Sequence, residues 1–489
     1  MALAQQAQAR LMQGWALHQQ GQLAQAAQLY EQVLKLQPKN FDALHLSGVA
    51  ALQSGDFKRA VDQITKALKI DRNNASAYNN RGAAYAELRE LDFALLNYDK
   101  AIALQADFAN AYNNRGNVRA RLDQYELALA DFDKAIALQP DYHEAYHNRG
   151  NTLSGLHRYE DALASFQRAL DLNPTSAQAR WNLGMCQLRV GDFANGWANS
   201  EARMQCWAKA SWHDAPPETR WTGAEPLQGK TIVLRCEQGL GDTIQFARYA
   251  SLLAPMAAQV VLEVQPPLLP LLQHLPGVTL LAQGSDLPPH DYFCPLLSLP
   301  LALKTDLSNI PPPPGHIASE AGKLAQWQSL LGPKTKPRIG IVWSGNPAHV
   351  DDHKRSVALS TFVQILSDDV DWISLHKDVR DSDLAILSKT PAIRQFGAQL
   401  HDFTDTAALC DLLDLVICVD TSVAHLAASM GKPVWLLLAY NADWRWLRDR
   451  TDSPWYPCVK LYRQTAAGDW AGVLRQVKND VQQRFTLPA

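Results

Sequence analysis

Long apolar runs are missing from this sequence. No stretch approaches the eighteen or so residues that cross a bilayer, so no integral membrane segment is expected. The opening MALAQQAQARLMQGW has no basic start followed by an apolar core, and it is not expected to act as a secretory signal. An excess of one charge is also missing. Forty-six Lys plus Arg face 49 Asp plus Glu, a formal net charge of -3 that gives no broad field for nucleic acid or an acidic membrane. No nucleic-acid partner is expected, and any charged ligand must be met locally. The seven cysteines form no CxxC pair and are odd in number, which argues against a disulfide framework or a zinc site and favours a reducing, cytoplasmic compartment. With 47% hydrophobic and 19% charged residues, the chain is not of the disordered type. Its 489 residues suggest about three compact units at roughly 150 residues each.

What the sequence does have is a period. Gly14, Gly48, Gly82, Gly116, Gly150 and Gly184 stand 34 residues apart. At a Gly frequency of about 7%, five further hits in register by chance is on the order of one in a million. Twelve positions later runs a second small column, Ala26, Ala60, Ala94, Ala128, Ala162 and Gly196. A large apolar column follows at Tyr30, Ile64, Tyr98, Phe132 and Phe166, and Pro38, Pro140 and Pro174 close three units. Small residues at the contact points let two antiparallel helices approach, and the large residue fills the space beside them. The pattern resembles the tetratricopeptide repeat, with five full units over 7–176 and a degenerate sixth to about Met204. The array is therefore placed at 7–204.

Asn80, Asn114, Asn148 and Asn182 recur two residues before each glycine, joined by Asn79, Asn113, Asn117 and Asn151. Two residues is about 200° around a helix, so this column points away from the glycine seam and should line the inner groove. Two readings stay open: amides that bond to the backbones of neighbouring repeats, or a ladder that grips the backbone of an extended acceptor peptide, similar to that of the protein O-GlcNAc transferases. Repeats one and two carry Met12 and Leu46 instead.

Residues 205–230 break the period, and Trp207, Trp212, Trp221, Pro216, Pro217 and Pro226 crowd there, which suggests a packed connector. Beyond it, short apolar runs alternate with helical stretches, as in parallel α/β folds. Strands are predicted at 231–236, 259–264, 291–294, 338–343, 371–375, 415–419 and 433–438, with GLGDT as a turn before a helix at 244–253. The run Pro311 to Pro314, followed by an 18-residue helical stretch, separates a half at 231–315 from one at 316–489. The fold class expected is an α-helical repeat solenoid followed by two Rossmann-like α/β halves.

Three segments can carry chemistry. Glu237-Gln-Gly-Leu-Gly-Asp-Thr243 puts Gly239, Gly241 and Asp242 where a strand's C-terminal end meets a helix, the place where ligands bind in open parallel sheets. An Asp there is explained equally by helix capping. Asp420-Thr-Ser-Val-Ala-His425 again joins a strand to a helix, and the Thr421 and Ser422 hydroxyls with free backbone N–H groups suit phosphate oxygens. His425 falls on the same face as Thr421. In the segment 343–356, Ser344, Gly345 and Asn346 could approach a phosphate, and Lys354 or Arg355 could neutralise a departing diphosphate. Asp351-Asp352-His353 has no reliable ligand spacing, so no metal is expected.

Leu240-Gly-Asp242 and Asp420-Thr-Ser-Val-Ala-His425 resemble the hallmarks of glycosyltransferase family 9, the heptosyltransferase-like GT-B enzymes. The resemblance implies a nucleotide-diphospho-sugar as co-substrate, with no further cofactor, an acceptor entering from the first half, and inversion at the anomeric carbon. By it Asp242 is the base, Asp420, Thr421, Ser422 and His425 belong to the donor site, and Lys354-Arg355 stabilises the leaving group. The repeats and the Asp443-Trp444-Arg-Trp446 stretch depart from the usual lipopolysaccharide enzymes. The whole plan is similar to repeat-bearing flagellin glycosyltransferases and O-GlcNAc transferases; neither resemblance fixes the acceptor, and a protein recruited by the repeats is expected. A saccharide or lipopolysaccharide core transferase, and a non-catalytic scaffold, are the alternatives.

Overall fold

The computed structural model describes residues 2–206, 216–313, 317–349 and 351–485. Trp207 and Trp212 of the expected connector lie outside them, as do Pro314 and Val350. The chain divides into two compact units, Met1–Asn182 and Leu183–Ala489.

In the first unit, helices α1 (Ala2–Gln19) and α2 (Leu23–Leu36) form the first pair, α3 (Phe41–Gln53) and α4 (Phe57–Ile70) the second, and α5 (Ala75–Glu87) and α6 (Leu91–Leu104) the third. The fourth pair is α7 (Ala109–Arg121) and α8 (Tyr125–Leu138), and the fifth α9 (His143–Gly155) and α10 (Tyr159–Leu172). The 34-residue columns are the seam of each pair. A β-carbon on Gly82 would stand 2.8 Å from the Tyr98 ring, and one on Gly116 or Gly150 2.7 Å from Phe132 or Phe166. The large side chain of each second helix, a ring in four pairs and Ile64 in the second, thus lies against bare backbone of the first, and all five are buried. Such close packing is where the dispersion and transfer energy of a repeat resides.

The second unit begins inside the helix Ala177–Val190, α11, and takes α12 (Phe193–Ser200) with it. This differs from the boundary near 204 expected from the period, and the packing gives the reason. Position 200 is serine, so no large residue fills the seam. A β-carbon on Gly184 would meet the Ser200 backbone nitrogen, at 2.5 Å. Instead α12 turns Phe193 and Trp197 to the α/β core: the Trp197 ring packs edge-on against Trp444 and Trp455, and its Nε1–H donates to the Thr305 carbonyl at 2.9 Å. The degenerate sixth repeat has exchanged repeat packing for α/β packing. The nearby connector is ordered where described, with Trp221 buried and its backbone N–H donating to the Phe293 carbonyl at 2.8 Å.

Two parallel sheets follow. β1 (Thr231–Arg235), β2 (Gln259–Val264), β3 (Val278–Ala282) and β4 (Tyr292–Pro295) pair in the order β3-β2-β1-β4. β5 (Arg338–Val342), β6 (Asp371–Ser374), β7 (Ile393–Gln395), β8 (Leu415–Val419), β9 (Val434–Leu438) and β10 (Val459–Arg463) pair as β10-β9-β8-β5-β6-β7. β5 and β8 are buried along their whole length, the continuous apolar run typical of a central parallel strand. Three strands escape the sequence reading. β3 is half-exposed, β7 has three residues, and β10 carries Lys460 and Arg463. All three lie at sheet edges, where one-sided burial weakens the apolar signal. The helix after the proline run is shorter than expected, Ala321–Leu331, and stops at Gly332 with φ 73°.

Candidate functional site

In the six-stranded sheet the strand order reverses between β5 and β8, and the crevice beyond such a switch point is where open parallel sheets hold ligands. The loops leaving these two strands carry Ser344-Gly345-Asn346 and Thr421-Ser422. A cavity of about 370 Å³ opens there, lined by all five residues, by Leu240 and Pro267 from the first sheet's side, and by His376, Lys377, His401 and Thr406 among others. The last four carry no motif in the sequence: His376 and Lys377 follow β6, and His401 and Thr406 lie between β7 and β8. The helix Ser422–Ser429 starts at the cavity with Thr421 as its N-cap, and the Thr421 Oγ1 has no hydrogen-bond partner. Unpaired N–H groups, an unpaired hydroxyl and the positive end of the helix dipole favour an anion.

The opposite wall is braced from beneath. Gly345 N–H donates to Ser356 Oγ at 3.0 Å, Ser356 donates to buried Asp352 at 2.9 Å, and Arg380 Nη2 reaches the Gly345 carbonyl at 2.9 Å and Asp352 Oδ2 at 2.5 Å. A β-carbon on Gly345 would come 2.9 Å from Arg355 Nη2, so the Arg355 guanidinium lies directly behind this loop. Lys354 is different: it is exposed and pairs with Asp351 at 3.7 Å, and it does not line the cavity. His376 accepts from the Trp343 N–H at 3.2 Å and lies 4.0 Å from the Trp343 ring centroid. Burial, helped by Arg380, pulls its pKa down to about 4, so it is neutral at pH 7.

The GLGDT segment is helix rather than a free turn. The helix Leu240–Phe246 begins at once, and Asp242 in its first turn reaches back to accept from the Gly239 N–H at 2.8 Å. The other Asp242 oxygen is held by Arg445. Beside it, the helix start Leu240-Gly241 meets the helix Ser422–Ser429: a β-carbon on Gly241 would fall 2.8 Å from His425 Cδ2 and 3.5 Å from the Ser422 α-carbon. The two motifs, 180 residues apart in sequence, are therefore in contact. Gly239, Gly241 and Asp242 lie at the seam between the sheets rather than on the cavity lining, as do Asp420 and His425. His425 is buried, with Nδ1 3.0 Å from Tyr456 Oη and its ring stacked on Trp446. Burial, then Arg445 and Arg248, holds its pKa well below the usual value, so it is a neutral packing group here.

Asp420 accepts from Trp446 Nε1 at 2.8 Å, and burial with the nearby Asp443 charge raises its pKa to about 6. Burial likewise pushes the Asp242 carboxyl up, against the Arg445 charge. Beneath the motif Glu237 is wholly buried and held by Arg203, Nε to Oε2 at 2.8 Å and Nη2 to Oε1 at 2.9 Å. Among the described residues no group of three or more His, Cys, Asp or Glu side chains could hold a metal ion, and no helix is long and apolar enough to cross a membrane.

In the first unit each amide of the column has a partner in the preceding repeat. Asn114 donates to Asn79 Oδ1 at 3.0 Å and Asn148 to Asn113 Oδ1 at 2.9 Å. Asn80 Nδ2 lies 3.0 Å from His45 Nε2, and Asn182 Nδ2 lies 2.9 Å from His147 Nε2 and 2.7 Å from Asn151 Oδ1. The column is an inter-repeat hydrogen-bond ladder, through side chains rather than backbone.

Comparison with known proteins agrees with this division. Residues 11–75, 45–95 and 107–175 match tetratricopeptide repeat models, and residues 398–446 match the model of glycosyltransferase family 9 (heptosyltransferase). The chain is thus a tetratricopeptide-repeat array followed by an α/β unit, of which a segment matching the family 9 model holds Asp420–His425 and Arg445. It is similar to the protein FlbA of Caulobacter vibrioides, 24% identical over a 323-residue alignment covering 59% of this chain and 52% of that protein. The chain thus spans about half the length of this curated relative. Among solved structures, MamA is 27% identical, with 34% of this chain and 96% of MamA covered at a TM-score of 0.31. A thermophilic tetratricopeptide-repeat protein of Thermus thermophilus, TTC0263, is 24% identical, with 37% and 99% covered at 0.34.

Proposed function

We propose that this protein is a glycosyltransferase of GT-B plan that moves a sugar from a nucleotide-diphosphate donor to an acceptor recruited by the repeats, which we take to be a protein. The observation that carries the reading is the cavity at the β5/β8 switch point, walled by Thr421, Ser422 and Ser344–Asn346 and bordered by the helix that bears Asp242. The diphosphate suits the Thr421 helix terminus, and Arg355 behind Gly345 supplies positive charge nearby. The reaction is a displacement. An acceptor oxygen bonds to the anomeric carbon as the bond from that carbon to the diphosphate oxygen breaks, and the electron pair leaves with the diphosphate. The acceptor proton passes to Asp242. A carboxylate offers about four lone-pair positions, so the Gly239 and Arg445 bonds leave Asp242 able to accept. Single displacement of this kind inverts the anomeric centre, and its balance calls for no metal.

A stability screen with UDP-, GDP-, ADP- and dTDP-linked sugars tests the donor half of the reading. A saturating donor should raise the melting temperature, about 2.7 kcal/mol at a hundred times Kd, whereas a scaffold without turnover would respond to none. Intact-mass analysis of co-expressed acceptor proteins tests the other half, and a saccharide product instead of a modified protein would move the function to a core transferase.

A further inference from the structure

The Asp443-Trp444-Arg445-Trp446 stretch has so far been given contacts but no task in the transfer, yet its arginine lies at the centre of the seam. Arg445 is buried, and its guanidinium contacts groups from both sheets: Asp242 and Gln245 (Nε to Oε1, 2.5 Å) on the helix after β1, and Asp443 at 2.9 Å beyond β9. Its faces are covered by aromatic rings, with Trp444 4.9 Å and Phe246 5.9 Å from the guanidinium carbon. Arginine suits such a place, since its planar fork serves several acceptors at once while stacking on rings. The backbone that presents it is strained: buried Leu447 and nearby Asp449 have φ of 52° and 55°, a region unfavourable for non-glycine residues. Strain of this kind persists only where the surrounding contacts impose it.

We infer that Arg445 is the positioning residue of the transfer site, fixing Asp242 as an ionised proton acceptor and tying the helix that carries it to the donor-side sheet. This rests on the function proposed above. The charged groups around Asp242 are Glu237 on the preceding loop, Asp443 and Arg445 beyond β9, and Asp420 with neutral His425 at the start of the helix after β8. Arg203 neutralises Glu237, while Arg248 and Arg355 act at longer range on His425 and Asp420. Among the described residues Arg445 is the cation in contact with the Asp242 carboxylate. Without it, only the Gly239 N–H bond opposes burial and the neighbouring carboxylates, and the group binds a proton at higher pH.

The experiment uses the full chain with Arg445→Met and Arg445→Lys, and follows release of UDP, GDP, ADP or dTDP from the corresponding nucleotide sugars against pH, with water as the acceptor that takes the sugar. In Arg445→Met the acidic limb of kcat/KM should move up by about 1–3 pH units, with activity recovered at alkaline pH. Arg445→Lys should keep the limb near its parent position while kcat falls. A readout free of turnover runs beside it. Asp242→Asn should raise the melting temperature of Arg445→Met at pH 8, because it removes an unpaired buried charge, and should not raise that of the parent. An unmoved limb, or additive melting temperatures, overturns the inference even if Arg445→Met is unstable, since Arg445→Lys and the double variant still report. Coupled melting temperatures with an unmoved limb make the pair merely structural. A parent chain that releases no nucleotide removes the transferase reading itself, and the positioning role with it.

Discussion

Gly241 has room for hydrogen and nothing larger. Its missing β-carbon would press on His425, which is buried and held by Tyr456 and Trp446, so the ring has no free space to yield. Gly241→Ala should therefore separate the helix starts at a cost of about 1–3 kcal/mol, read as a lower denaturation midpoint. Asp242 presents the complementary case. Asn keeps the size and the oxygen that accepts from Gly239, so Asp242→Asn should fold and bind donor. It cannot take a proton, and transfer should fall about a hundred- to ten-thousandfold. Parent-like turnover in Asp242→Asn would reduce the residue to a helix-cap and salt-bridge group.

Among the elements, the amide ladder sets a clear contrast between scaffold and ligand site. Asn114 and Asn148 already donate to Asn79 and Asn113, which are buried. Replacing both with Ala removes two donors from buried carbonyls, and about 1–3 kcal/mol of stability should be lost at each. Hydrogen exchange should show the loosening in α5, α7 and α9. A stable double variant that binds acceptor three- to a hundredfold more weakly would instead assign the ladder to the acceptor. The seam of each repeat is a second test: Gly150→Val places branched carbon against Phe166, and the fifth pair should be the first to open.

At the scale of the whole molecule, two groups near the cavity pull the pH dependence of stability in opposite directions. His376 has its pKa lowered from 6.5 to about 4, so between these values the unfolded chain binds the proton and the folded chain does not. Stability from this group is lost as pH falls through that window. Asp420 has its pKa raised from 3.8 to about 6, so the folded chain holds the proton longer and stability is lost as pH rises from about 4 to 6. Relative to the parent, Asp420→Asn should show a steeper gain of stability with pH over that range, and His376→Gln a shallower one up to about 6.5. Urea midpoints taken from pH 4 to 7 decide both. If either variant runs parallel to the parent, the group concerned is not buried in the state proposed for it.

The sequence by itself determined the repeats, because a 34-residue period is written locally: each glycine and its large partner lie sixteen residues apart and pack within one helix pair. It also determined the central strands, whose burial on both faces leaves continuous apolar runs, and the two segments around Asp242 and Asp420. Only the tertiary structure decided where the array gives way to the α/β unit, since Ser200 removes a seam contact and Trp197 finds its partners more than two hundred residues away in Trp444 and Trp455. The same holds within the site. His425 shares a face with Thr421 on its helix, as the spacing required, but Gly241, Tyr456 and Trp446 close over it and leave the cavity to Thr421 and Ser422. Arg445 carries no local signal of its partners, because Asp242 lies 203 residues before it. A charge that is bound by distant carboxylates is specified by the fold that brings them together.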